Sequence, residues 1–512
     1  MNQIDHIVQV MFENRSLDNL LGYLYTPDEL PLHNFPPANP TTFDGLAFGG
    51  PYFNVSGAGT RFDAEQPTTE FGAHSPNVVP WPGPGEPFDE VHEQLFNGGA
   101  SVTMGGFVNN YAEQGGVNAG NVRQIMQNFE PRTQLPVLST LARSFAVSDA
   151  WYCSMPTQTW PNRGFAHAGS SDGHVVNAPH IPWGIDTIFT TLQERNISWG
   201  VFSHTLYTPA LTHIQFRKHW PPAMDRGFRG FDDFLRRCNA QAGAPPSMKL
   251  PAYSFVEPRF LAERLFFAVH HSEDYHPPHN VQHAERFLAS VYNAVLNSPY
   301  RDRILLVITF DEHGGTYDHV VPPGGAQPPW PEPVAKNGFT YDLFGVRVPA
   351  IVVSSWVKPG TVFRSNTGVP YDHTSVLATL RDWQEIPEDE FLPSPRIAAA
   401  PTLDALLTES SARPDWPVVV PKWDAEQPEA LFAIEAAVEP EETAEMEELL
   451  TLPPDDLEQS ILAASQYYVQ YRQAPEDLDV LPEAAVMALA PELVIPTRRD
   501  AIEEMRRLML GG

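Results

Sequence analysis

The chain has 512 residues and a net charge of −31, with 63 Asp plus Glu against 32 Lys plus Arg. So negative a balance argues against non-specific binding to nucleic acid and against electrostatic adhesion to anionic lipid surfaces. No run of about 18 or more apolar residues occurs, so no transmembrane segment is expected; the two cysteines, Cys153 and Cys238, have no metal-site spacing and indicate no disulfide scaffold.

The first predicted strand, residues 4–12, is short, apolar and rich in β-branched residues. Glu13, Asn14 and Arg15 follow it directly, at the strand end where open α/β sheets place ligands. A capped strand-to-helix turn accounts for this cluster as well as a ligand site does. Residues 26–90 concentrate much of the chain's 52 prolines and 34 glycines and read as long loop insertions, as do residues 320–338. Most of their length reads as packed surface coil. A second apolar run, 145–152, leads into the polar segment Ser154–Gly164. A strand is expected at 197–203 and a helix at His283–Leu296. The strand 303–310 ends in Asp311-Glu312-His313-Gly314-Gly315, where paired carboxylates and two glycines suit a metal-binding loop. A strand at 348–353 and a helix at His373–Trp383 complete the series. Three polar clusters, each at a strand end, are hard to explain as capped turns alone. The alternation of strands and helices predicts a mostly parallel sheet covered on both faces.

Near residue 421 the composition changes. From Pro421 to Gly512 there are 21 Asp plus Glu against 6 Lys plus Arg, a net of −15, about half the charge of the chain. Asp455–Arg472 and Asp500–Leu510 read as helices with acids at the start and arginine towards the end. The expected organisation is a catalytic domain over 1–420 and an acidic, mainly helical extension over 421–512. The extension reads first as docked on the catalytic domain and second as a module for a partner. The N-terminus has no basic region, cleavage site or twin arginine. The expectation is a cytoplasmic chain, or one exported by a leaderless route.

Four ordered motifs carry a resemblance over about residues 1–420: Glu13–Asp18, Thr159–Arg163, Asp311–Val320 and Gly345-Val346-Arg347-Val348-Pro349, with His276-Pro277-Pro278-His279 as a further piece. They resemble the phosphoesterase family of bacterial and plant non-specific phospholipases C and acid phosphatase A. That resemblance implies an alkaline-phosphatase-like α/β/α sandwich and a phosphate-ester or phospholipid substrate. It implies Thr159 as nucleophile through a phospho-threonine intermediate, and Glu13, Asn14, Asp311, Glu312 and the Thr159 oxygen as ligands of a divalent metal. An all-oxygen set favours calcium, magnesium or manganese and does not exclude zinc. His276, then His279, are the histidines expected to serve the phosphoryl oxygens and leaving group. For His279 the competing role is to hold its loop through the ring N–H. Asn162 and Arg163 are expected to position the nucleophile loop, with an internal salt bridge as the other reading of Arg163. Asp318 and His319 are candidates for holding the metal ligands from behind, and His204 is a weaker candidate.

Two departures stand out. Leu17 and Asn19 replace the family's Phe and His, and Glu86 stands where many members carry a histidine that reaches the phosphate. An ionised Glu86 would repel that anion, and only a protonated one could donate to it. It could also bind a second cation or a cationic head group. The expected activity is therefore a metal-dependent phosphoesterase, phospholipase C-like first and a broad acid phosphatase second, with an inactive binding protein as the non-enzymatic alternative.

Overall fold

A computed structural model of the chain describes residues 1–66, 74–177, 182–265, 268–331, 335, 337–420, 440–473 and 495–510. The main sheet contains nine strands. In chain order these are β1 (His6–Phe12), β2 (His33–Phe35), β3 (Ala146–Ser148), β4 (Trp199–Ser203), β5 (Phe228–Gly230), β6 (Tyr253–Glu257), β7 (Ile304–Phe310), β8 (Ala350–Val353) and β9 (Thr361–Phe363). The sheet order is β2-β9-β3-β8-β7-β1-β6-β4-β5. Only β8 runs antiparallel to its two neighbours, β7 and β3. The expected α/β architecture with a mostly parallel sheet is thus the observed one.

Every residue of β7, and all of β1 after His6, is buried. Strands that run apolar along their whole length must be covered on both faces, as in parallel sheets flanked by helices. The helices used below are α1 (Leu17–Leu21), α2 (Pro136–Ser144), α3 (Thr159–Ala168), α4 (Val281–Leu296), α5 (Thr374–Trp383), α6 (Pro440–Thr451), α7 (Asp456–Gln473) and α8 (Arg498–Leu510). The sequence reading missed β6 although it lies beside β1 in the centre of the sheet.

The register of β1 against β7 pairs His6 with Ile304 and Phe12 with Phe310. Both strands therefore end at the same level, and the residue after each, Glu13 and Asp311, emerges at one edge of the sheet. The predicted boundary at 421 falls at the edge of the described residues. Beyond it, α7 and α8 pack against the preceding part of the chain: Leu457, Ile461, Leu462 and Met505 share one buried apolar cluster with Trp160, Trp183 and Phe216. Among the described residues no helix is long and apolar enough to cross a membrane.

Candidate active site

Asn14 takes a left-handed backbone at φ 57°, a conformation asparagine tolerates better than most residues. Its N–H donates to Asp311 Oδ1 at 3.1 Å. This turn folds the chain back across the end of β7. Opposite it, Gly314 and Gly315 also have positive φ, and a Cβ on Gly314 would lie 2.1 Å from the Asn14 carbonyl oxygen. The two glycines are therefore required by close backbone approach as well as by conformation.

Thr159 is the first residue of α3, with Gln158 as its N-cap. Its hydroxyl lies 3.0 Å from Glu13 Oε2 and 3.4 Å from Asn14 Oδ1. Asn162 staples the preceding loop: its Oδ1 accepts from Met155 N, and its Nδ2 donates to the carbonyls of Met155, Thr157 and Gln158. Arg163 forms an internal salt bridge, donating to Glu13 Oε1 at 2.9 and 2.5 Å, and lies 3.4 Å from Asp311 Oδ2. In this structure both residues act on the loop that carries Thr159 and on its carboxylate partner.

Glu13, Asn14, Thr159, Asp311 and Glu312 are all 0 % exposed. Burial, with the nearby Asp311 charge, pushes the Glu13 carboxyl well above its ordinary range, against the pull of Arg163. Burial and the charges of Glu86 and Asp311 do the same to Glu312. Asp311 Oδ2, Glu312 Oε1 and Asn14 Nδ2 are buried without a hydrogen-bond partner. Crowded, desolvated carboxylates with orphaned oxygens fit a bound cation, which would satisfy both charge and coordination.

His276 donates from Nδ1 to the Pro277 carbonyl at 2.7 Å, so Nε2 faces Glu86 Oε1, 3.3 Å away. Burial lowers the pKa of His276. Burial, then Asp455, raises that of Glu86 well above the carboxylate range. Both shifts favour a neutral pair with the proton on Glu86, so the departure at this position leaves a group able to donate. His279 is paired through Nδ1 with Asp274 Oδ1 at 2.8 Å. Burial opposes its imidazolium, but the Asp274 carboxylate outweighs this and raises the pKa.

Asp318 and His319 belong to a different cluster. Arg347 donates to Asp318 Oδ1 at 3.0 Å and to Asp18 Oδ1 at 3.1 Å, while the His319 ring sits 2.6 Å from Asp18 Oδ2 and 3.1 Å from Asp44 Oδ1. Asp18, Asp318 and His319 are close enough together to share a metal ion. The Arg347 guanidinium already supplies the positive charge there, so the group reads as an ionic knot tying α1 to the 318–347 loops. His204 is engaged by Glu273 Oε2 at 2.6 Å and stacks on Phe287. The sequence reading passed over Asp274, which orients His279, and His373, whose Nε2 lies 2.5 Å from the Asp311 carbonyl oxygen. It also passed over Glu257, 4.0 Å from Arg163. Asp372-His373-Thr374 at the head of α5 was the available signal for the second.

Residues 4–387 match the sequence profile described as "Phosphoesterase family". The chain is 33% identical over 439 residues to non-specific phospholipase C3 of Arabidopsis thaliana, covering 82% of this chain and 76% of that protein. It is 25% identical over 427 residues to phospholipase C A of Mycobacterium tuberculosis, covering 74% of this chain and 73% of that one. Among solved structures, an alkaline phosphatase superfamily protein from Vibrio parahaemolyticus aligns with a TM-score of 0.30 and 13% identity, over 53% of this chain and 65% of that one.

Proposed function

Because the chain belongs to the phosphoesterase family, we propose that it cleaves phospholipids in a phospholipase C-like reaction with Thr159 as nucleophile. Membership makes it a hydrolase of phosphoric ester bonds. The relatives named as phospholipases C support a phospholipid as substrate. One observation carries the assignment of the nucleophile: the Thr159 hydroxyl stands at the head of α3 within 3.0 Å of Glu13 and 3.4 Å of Asn14.

Glu13, Asn14, Asp311, Glu312 and the Thr159 oxygen would hold one divalent cation, of calcium, magnesium, manganese or zinc. When bound, such a cation lowers the pKa of a coordinated hydroxyl and offsets charge on the phosphoryl oxygens. Thr159 Oγ1 attacks phosphorus and its proton passes to Glu13 Oε2. The bond from phosphorus to the diacylglycerol oxygen breaks, and that oxygen takes the proton held between Glu86 and His276. A phospho-threonine ester carrying the head group remains. Water then attacks phosphorus and gives one proton to the Glu86–His276 pair. The Thr159 oxygen leaves and recovers its proton from Glu13. Asn162 and Arg163 keep the loop and Glu13 in place throughout.

The test is product analysis on phosphatidylcholine vesicles and p-nitrophenyl phosphate, run side by side. Release of phosphocholine from the vesicles is the expected result. Inorganic phosphate from the monoester alone would move the assignment to an acid phosphatase, and no turnover of either would favour a binding protein.

A further inference from the structure

Thr159 is framed on both sides by residues that the C-terminal extension grips. On its N-terminal side, Gln158 donates from Nε2 to Asp456 Oδ2 at 3.2 Å and accepts from the Asn177 N–H at 2.9 Å. On its C-terminal side, the indole N–H of Trp160 donates to Ser460 Oγ at 2.5 Å. The backbone of Trp160 is held by the Asn177 and Gln215 side chains, at 2.9 and 2.8 Å. Asp456 and Ser460 lie one helical turn apart on α7, so one face of that helix addresses both neighbours of the nucleophile.

The contact is a built interface. Ser460 is 3% exposed, and Trp160 sits in the same apolar cluster as Leu457, Ile461 and Leu462. Trp160 itself is 0% exposed, and burying its N–H without an acceptor would be costly. Further along, α6 meets the loop next to His279, where Leu449 packs on Val78 and Trp81. The first arginine of α8 ties the start of α7 down, Arg498 donating to Glu458 at 2.6 Å and to Asp455 at 2.7 Å.

Resting on the reading of Thr159 as nucleophile, we propose that Asp456 and Ser460 of α7 are positioning residues for catalysis, which set the Gln158–Trp160 turn and hence the direction of the Thr159 hydroxyl. The extension is then part of the catalytic apparatus, although no motif falls within it. A misplacement of the attacking atom by about 1 Å can cost about a hundredfold in rate. The effect belongs in kcat, since neither residue touches the substrate.

The experiment uses the full chain with p-nitrophenylphosphocholine as the probe. In the double variant Asp456→Ala with Ser460→Ala, kcat should fall at least tenfold at unchanged KM, with circular dichroism and bound metal as in the parent. The conservative pair Asp456→Asn with Ser460→Thr keeps both acceptors and should restore kcat to within threefold. A folded double-alanine variant with parental kcat, or an equal loss in the conservative pair, overturns the proposal. Should the double-alanine variant not fold, Asp456→Ala alone decides, because Asp456 lies at the solvent-facing edge; a kcat within experimental error of the parent overturns the proposal. Thr159→Ala is measured alongside. If that variant keeps its activity, the nucleophile assignment fails and this inference with it. If it is inactive while the α7 variants are fully active, only this inference fails.

Discussion

At the scale of single residues, the site is a set of charges that cannot coexist unaided. Burial and the Asp311 charge raise the Glu13 and Glu312 carboxyls, Glu86 adding to the second, and Arg163 is the cation in contact with Glu13 and Asp311. Asp311→Asn should lower bound metal, read by elemental analysis of the purified protein, and lower kcat in the same preparation. Metal removal by chelation should abolish turnover and its return restore it. A metal-free sample that still turns over would contradict the assignment. Glu86→Gln keeps a donor opposite His276 but holds no transferable proton. It should slow substrates with a poor leaving group by about 10²-fold while sparing p-nitrophenyl esters, whose leaving group needs no proton. The four metal-ligand candidates were legible in the sequence because each stands within a short motif at a strand end, and Thr159 because it opens the short motif Thr159–Arg163 at the head of α3. Asp274 and Glu257 were not, because each acts on a residue far away in sequence and carries no motif of its own.

At the scale of elements, the Arg347 knot joins three motifs that the sequence shows only as separate pieces. Leu17 N donates to the Arg347 carbonyl, and Arg347 in turn bonds Asp18 and Asp318. Arg347→Met would leave the buried Asp318 without its cation and Asp18 with His319 alone, and should cost about 3–5 kcal/mol of stability, measured by urea unfolding. His319 gives the knot a pH dependence. Burial alone would lower its pKa, but hydrogen bonds to Asp18 and Asp44 outweigh this and raise it to about 10. Since the folded value lies above the ordinary 6.5, its stabilisation is complete below pH 6.5 and is lost as pH rises through about 10. The unfolding midpoint should therefore fall between pH 7 and 10, and His319→Gln should flatten that slope. Strands β1, β3, β4, β7 and β8 and helices α4, α5, α7 and α8 were readable from apolar runs and periodicity. The strand β6, Tyr-Ser-Phe-Val-Glu, was not: five residues with a serine and a glutamate between prolines 251 and 258 give too short a signal. Its burial comes from β1 and β4 on either side, which only the folded sheet supplies.

At the scale of the whole molecule, Thr159 stands between the sheet edge that presents Glu13 and the C-terminal helix that holds its two neighbours, and the 274–279 loop meets the same edge where Glu13 N donates to the Asp274 carbonyl at 2.9 Å. Composition marked the extension as distinct through its charge, but charge lies on the solvent face and says nothing of the apolar face beneath. That face packs on Trp160 and Phe216. Ile461→Ala, at 1% exposure, should destabilise the protein by about 2–5 kcal/mol if the extension and the catalytic domain unfold together. A small early transition ahead of an unchanged main one would show instead that they unfold separately. The central claim is that the Thr159 hydroxyl carries out the chemistry in a site otherwise complete without it. The most direct measurement is kcat/KM of Thr159→Ala on phosphatidylcholine vesicles and on p-nitrophenylphosphocholine, with metal content and thermal midpoint recorded on the same sample. A loss of at least about a thousandfold on both substrates is expected, with the fold intact; activity within tenfold of the parent would show that Thr159 is not the nucleophile.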